Sequence, residues 1–179
     1  QGCSAPKYKV TNLHAGCVEL FVKEDATLRY STIENWSKNM LNLNTKRCSV
    51  EKNGTIEWVS GSFGSKVSML YPMSILKGEG ARSEFTGITF AGKGQILDTG
   101  HKVIHAAPYT SSTASSKSIC KDGGVANYRG VVKVTSKAHH SKSTVACESL
   151  MLDNRSKSDT IPVIELNTDE VDLGHEAKI

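Results

Sequence analysis

Short stretches in which polar and apolar residues alternate recur along the whole chain, and this period of two constrains the fold more than any other feature. They run as VELFV (18–22), TLRYSTI (27–33), TIEWV (55–59), KVSMLY (66–71), EFTGITF (84–90), YRGVVKV (128–134) and STVACESLML (143–152). Successive residues of a strand point to opposite faces, so each run reads as a strand with one covered side. Helical periodicity is scarce by comparison. The connections EKNGT, VSGSFGS, LKGEGARS, KDGG and LDNRSKSD carry the Gly, Asn, Ser and Asp that turns require. The expectation is an all-β fold in a single domain over residues 1–179, a length sufficient to bury a core.

Turn signals every 8 to 12 residues or so describe a sandwich, a barrel or a stacked β-solenoid equally well. Two features lean toward a solenoid. Two-residue Asn-Gly hairpin turns are few, and small or hydroxyl residues gather in PYTSSTASSKS (108–118), where they could stack at coil corners. No exact repeat is visible, and the pattern leaves all three architectures open.

Composition removes several classes. At 38% hydrophobic and 22% charged the chain is neither disordered nor membrane-spanning, since no apolar run approaches the roughly 20 residues a spanning helix needs. The net charge of +4 is small and the Lys and Arg are scattered, while 6% aromatic content is too sparse for base stacking, which argues against nucleic acid. Five cysteines, an odd count without C-x-x-C pairs, favour reduced thiols in a cytosol-like compartment.

The motif search yields little local chemistry. AGKGQ (91–95) and KGEGA (77–81) lack a phosphate-loop frame and read as turns. HKVIH (101–105) has helical zinc-pair spacing, but Val103 and Ile104 place it in a strand, where residues four apart lie about 13 Å from each other; a packed or surface pair is expected. His139 and His140 read as a solvated loop. At the far end Cys147, His175 and Glu176 bring together thiolate, imidazole and carboxylate, the side-chain types that ligate iron. The competing reading is a cysteine packed as a small hydrophobe, with alternation placing Val145, Cys147 and Ser149 on one face.

Longer strings carry a resemblance. GCSAP, LHAGCVEL, YSTIENW, TKR, the run from Ser65 to Ile119, YRGVV, DNRSKSDTIP and HEAK follow one another over essentially the whole chain. They resemble the SufB/SufD family of the SUF iron–sulfur cluster assembly system, and the SufB branch in particular: SufD-like chains usually have His-Gly-Ala where this one has His175, Glu176 and Ala177. The resemblance implies a right-handed parallel β-helix, cytoplasmic in a prokaryote or plastid-located in a eukaryote. Intact members add N-terminal and C-terminal helical segments, the latter docking the SufC-type ATPase, and these are expected to lie outside the present core.

The resemblance also implies a function. The chain is expected to be a scaffold rather than an enzyme, with Cys3 receiving persulfide sulfur from a SufE- or SufU-type donor charged by SufS. Sulfur then moves past Glu34, Trp36 and Lys46 to Cys147, where Cys147, His175 and Glu176 are the metal ligands. Glu34 departs from the family, which commonly has Gln there. The implied cofactor is a transient Fe–S cluster passed to apo-proteins, with reduced flavin the further candidate in the complete complex. One chain has too few ligands, so SufD or a second copy is expected to pair across the strands near residues 143–173. A β-solenoid binding module with inert cysteines is the runner-up, and a polysaccharide-active enzyme the third reading.

Overall fold

The computed structural model describes residues 9–178, together with the backbone of residues 2 and 3. Its elements are fourteen strands: β1 (Gly2–Cys3), β2 (Asn12–Val22), β3 (Thr27–Glu34), β4 (Met40–Val50), β5 (Thr55–Ser62), β6 (Val67–Leu70), β7 (Met73–Leu76), β8 (Arg82–Ala91), β9 (Ile96–His105), β10 (Ser111–Cys120), β11 (Val125–Val134), β12 (Ser141–Met151), β13 (Lys157–Leu166) and β14 (Val171–Lys178). No helix occurs among the described residues. Every ladder is parallel, and the chain alternates between two sheets. One sheet runs β1-β3-β5-β8-β10-β12-β14; the other runs β13-β11-β9-β6-β4-β2, with β7 continuing the place of β6 between β4 and β9. The result is a β-solenoid of about six turns.

A coil advances by 26 residues where Leu41 stacks on Val67 and by 32 where Val125 stacks on Lys157. That variation conceals the repeat in the sequence. The repeat is visible instead in the backbone of one corner, where Asp25, Asn53, Gly80, Tyr109 and His140 all have φ between 52° and 69°. Each is hydrogen-bonded through its N–H to a carbonyl of the following coil: Asp25 to Lys52, Asn53 to Glu79, Gly80 to Pro108, Tyr109 to His139 and His140 to Glu170. Asx side chains and glycine tolerate this left-handed region. At Tyr109 and His140 the two rings meet at a tilt of 32° with centroids 5.2 Å apart, which accompanies the less favourable backbone there.

Inward positions form columns one residue wide. Ile56, Trp58, Leu76, Phe85, Val103 and Val134 make the apolar core. Hydroxyls fill much of the rest. Thr110 and Ser112 contact Ser141 and Ser143 at 2.8 Å, and His105 lies between Thr110 and Ser112, with its Nδ1 2.8 Å from the first and its Nε2 3.0 Å from the second. The hydroxyl run in residues 108–118 therefore stacks inside the coil as well as near its corner. HKVIH is part of β9, and of the packed and surface alternatives the structure has the packed one for both histidines.

Candidate functional site

The last coil brings two of the expected metal ligands together. In β12 the period of two turns Val145 and Cys147 inward, and both are buried. β14 pairs with β12 so that His175 lies beside Val145 and Ala177 beside Cys147. The Cys147 Sγ is 4.0 Å from His175 Nε2. β14 ends its sheet, so the imidazole is exposed while the thiol is covered. A small cavity of about 20 Å³, room for a single water, adjoins the imidazole between Gly130, Val145, Leu173 and His175.

Burial pushes the Cys147 thiol up to about 11, partly offset by a hydrogen bond from the Tyr128 hydroxyl. At neutral pH the group is a thiol, shielded from oxidation, that needs a proton acceptor or a metal ion before it acts as a nucleophile or ligand. The Tyr128 hydroxyl is also 2.6 Å from His101 Nδ1, and the His101 ring stacks on Phe85 at 5.5 Å. Glu176 takes a different direction. It follows His175 in the strand and so points to the opposite face, where its carboxylate is 2.9 Å from Lys178. Among the described residues no group of three His, Cys, Asp or Glu side chains is arranged to hold a metal ion.

At the other end of the coil Cys3 pairs through its backbone with Glu34, and its side chain lies outside the described residues. Glu34 and Lys46 form a buried ion pair at 3.0 Å. Lys46 also donates to Thr32 at 3.1 Å, while Asn42 and Asn44 donate to the Glu34 carboxylate. Trp36 is drawn in through His14: their rings are 4.4 Å apart, and His14 Nδ1 is 2.9 Å from Asn42 Oδ1. The Trp36 indole N–H is buried without a partner. Of the three residues expected along a sulfur route, Glu34 and Lys46 thus share one polar group, and Trp36 meets it only through its ring contact with His14.

Removing one charge from this pair strands the other in the core, which is far costlier than losing an exposed pair. Lys46→Met is expected to destabilise the full-length protein by about 3–5 kcal/mol. The double variant Glu34→Gln/Lys46→Met should recover part of that loss. Urea unfolding curves of the two variants test this, and equal losses would contradict it.

Two register columns join the ends. One runs Thr32, Ser60, Gly87, Ser116, Cys147; the other runs Cys3, Glu34, Ser62, Thr89, Ser118, Ser149. The thiol therefore shares a column with the hydroxyl that holds Lys46. Midway, the Phe85 ring leans over Gly87, where an added Cβ would come within 2.9 Å of it. The space among Ser60, Ser62, Phe85, Thr89 and Thr99 has no room for a water. The columns are continuous, but the passage is plugged by Phe85. The sequence reading missed this plug, along with His101 and Tyr128. A usable signal was present in the aromatic-x-Gly strings FTG and YRG, whose glycines make room for the preceding ring.

Comparison with known proteins adds a lineage. Residues 1–179 match the family model described as SUF system FeS cluster assembly, SufBD core domain. The chain is 52% identical over 179 residues to an iron-sulfur cluster assembly SufBD family protein of Staphylococcus saprophyticus. It is 51% identical to proteins of the same description from Staphylococcus epidermidis and Staphylococcus aureus. Each alignment covers 100% of this chain and 38% of the relative, so the chain spans little more than a third of the length of these curated relatives. No helix among the described residues is long and apolar enough to cross a membrane.

Proposed function

The chain belongs to the SufBD core family of SUF iron–sulfur cluster assembly proteins, and from that premise we propose that it is the core of a SufB-type scaffold, not an enzyme, on which sulfur and iron are combined for transfer to apo-proteins. The observation that carries this reading is the covered Cys147 thiol 4.0 Å from an exposed imidazole at the open end of the coil. The carboxylate of Glu176, where SufD-like chains usually have Gly, supports the SufB assignment.

In this reading Cys3 receives sulfane sulfur from a SufE- or SufU-type donor charged by SufS. The net transfer is two thiol–persulfide exchanges: a small thiol carrier takes the outer sulfur from the Cys3 persulfide, releasing Cys3 as thiolate, and the Cys147 thiolate then takes that sulfur and releases the carrier thiolate, since β1 and β12 are five strand spacings of about 4.8 Å apart. No net electrons are exchanged. Lys46 stabilises the anionic species near its origin, and Phe85 must swing aside for sulfur to pass. At the far end Cys147 and His175 hold soft and intermediate ligand positions for iron, while Glu176, paired with Lys178 on the opposite face, adds a hard oxygen only once the end strand β14 turns its carboxylate toward them. A set with one thiolate releases a cluster more readily than four thiolates would.

The ligand set is completed by a partner chain, SufD or a second copy. Val163, Ile164 and Leu166 of β13 are about half exposed beside this end, an apolar surface suited to such pairing. The SufC-type ATPase acts through segments beyond this core. Reduced flavin belongs to the complete complex, and no residue of this chain is assigned to it. The setting is the bacterial cytoplasm, in keeping with the bacterial relatives.

The test is anaerobic addition of iron and sulfide to the full-length protein with and without its partners, followed by visible absorbance and Mössbauer spectra. Cluster is expected only on the paired protein. Full cluster content on a monomer would contradict the reading.

A further inference from the structure

Each coil passes from the sheet of β3, β5, β8 and β10 to the sheet of β4, β6, β9 and β11 through a connection of four or five residues, and four successive connections carry one lysine each. They are Lys38, Lys66, Lys93 and Lys121, all exposed. Stacked coils lie about 4.8 Å apart, so the four belong to a ridge about 14 Å long. Among the described residues none of the four has an ion-pair partner. The acids nearby are engaged or lie farther along. Glu34 is paired with Lys46, Asp98 with Arg129 and Glu148 with Lys117, while Asp122 and Asp153 are each 3.8 Å from Arg155. Asp159 stands on β13, one coil beyond the last of the lysines.

Both sides of the ridge are apolar. On the first sheet Phe90, Ile119 and Leu150 stack in register near the ends of β8, β10 and β12. The Phe63 ring lies over Gly61 beside Ile33, since a Cβ at Gly61 would come within 2.7 Å of that ring and 3.1 Å of Ile33. These five side chains are 36% to 55% exposed. On the second sheet Leu13, Leu41, Val67, Ile96 and Val125 form one register column at the starts of their strands. Exposed apolar rows of this extent mark an interaction surface, and the unpaired lysines between them select an acidic counterpart.

Position points to the occupant. Cys3 ends β1 and pairs with Glu34, the residue that precedes the first of the four connections. The residue that receives sulfur in the reading above therefore heads this edge. The two apolar rows lie on different sheets, on either side of a corner, so a flat lipid surface meets only one of them while a protein surface can follow both. Aliphatic side chains predominate, which gives bases no stacking platform.

We propose that this edge is the docking surface for the protein that delivers sulfur to Cys3, and that the donor meets it with a surface both acidic and apolar. The inference rests on the reading of Cys3 as the receiving residue, and its test separates the two. The full-length apo-protein is acetylated with the N-hydroxysuccinimide ester of acetate, alone and with the SufE- or SufU-type donor, and peptide mass spectrometry gives the rate at each lysine. Lys66 and Lys93 should react freely in the protein alone and lose most of that reactivity with saturating donor. Protection without donor would mean that the chain's own flanking segments cover the edge. Protection by single-stranded DNA or phosphatidylglycerol vesicles but not by the donor would mean a different occupant. Either result would overturn the proposal.

Sulfur transfer supplies the second measurement. The persulfidated donor is mixed anaerobically with the unaltered protein or with the variant Lys38→Glu/Lys66→Glu/Lys93→Glu, and the Cys3 persulfide is followed over time. At low salt the variant should receive sulfur about tenfold more slowly, the lower end of electrostatic steering effects, with its Cys3 reactivity toward neutral iodoacetamide unchanged. Ile119→Ser/Leu150→Ser should slow transfer at low and high salt alike. All five positions are exposed, so the fold should tolerate the changes. Equal transfer to the lysine variant would overturn the proposal, as would a parallel loss of iodoacetamide reactivity. If Cys3 of the unaltered protein took no sulfur, the reading of Cys3 would fail, while donor protection of Lys66 and Lys93 would still uphold the docking surface.

Discussion

Replacing Cys147 with serine is expected to abolish cluster assembly by the full-length protein while leaving its β-sheet circular-dichroism spectrum unchanged. The two halves of this expectation have separate causes. A serine hydroxyl is smaller than the thiol and can still accept the bond from Tyr128, so the covered position keeps a hydrogen-bonded occupant. The stability loss should stay near 1–2 kcal/mol, the usual scale for a buried hydroxyl with a partner. The chemistry has no such substitute. A serine cannot accept sulfane sulfur or furnish a thiolate to iron, and among the described residues no other cysteine is close to His175 in the contacts of the last coil.

Cys48 makes a useful contrast. It is equally buried, burial likewise pushes its thiol up to about 11, and its hydrogen bonds are to the backbone of Ser49 and Val22, away from any imidazole. Cys48→Ser should therefore assemble clusters normally at a comparable loss of stability. Iron and acid-labile sulfide bound after anaerobic reconstitution discriminate the outcomes. Normal cluster content in the Cys147 variant would reject its assigned role, and equal failure of both variants would point to a loss of folding competence instead.

The parts of the fold legible in the sequence are those where apolar residues face inward. The runs within β2, β3, β5, β6, β8, β11 and β12 alternate clearly and coincide with strands. β10 does not, because its inward residues are Ser112, Ala114 and Ser116, so its binary pattern shows hydroxyls where a core would normally show Val or Ile. β13 and β14 lie at the open end and bury little on either face. Parallel stacking leaves no local mark either, since the partner of a residue is 26 to 32 positions away.

The same physics governs the site. Cys147 and His175 were readable as a pair through the family resemblance, and the register brings them side by side. Glu176 could not be placed from sequence type alone, because a neighbouring residue in a strand faces away from its predecessor. Phe85, His101 and Tyr128 reach the thiol's surroundings only through the stacking of three different coils. Trp36 joins Glu34 through a side-chain chain that begins on β2.

Acidification from pH 7 to pH 4 is expected to remove roughly 3 kcal/mol of stability for each of His101 and His105, about 6 kcal/mol together. Burial holds both imidazoles neutral, lowering them from 6.5 to about 4. In the unfolded chain they take up protons near pH 6.5, so over this range the unfolded state binds more protons than the folded one. The stability they contribute is thus complete above about pH 6.5 and lost as the pH falls toward 4. Their surroundings explain why they resist charging. His105 sits between the Thr110 and Ser112 hydroxyls with no carboxylate in contact, and His101 is enclosed by Phe85 and Tyr128.

Asp98 acts in a different window: burial opposes its ionisation, but bonds from Arg129, Tyr71 and Asn127 outweigh this and lower its pKa, so its contribution is lost below pH 4. Urea unfolding of the full-length protein at intervals between pH 7 and pH 4 measures the slope. A loss of this size is a large part of the 5–15 kcal/mol typical of a folded domain, so the midpoint should fall steeply. His105→Gln keeps a donor and an acceptor for the two hydroxyls without a titrating ring, and it should flatten the slope by about half. A slope confined to pH values below 4, or one unaltered in the glutamine variant, would show that the buried imidazoles are not its source. The two histidines occupy the same strand two periods of alternation apart, and their neutrality is what allows the coil interior to hold polar side chains without holding uncompensated charge.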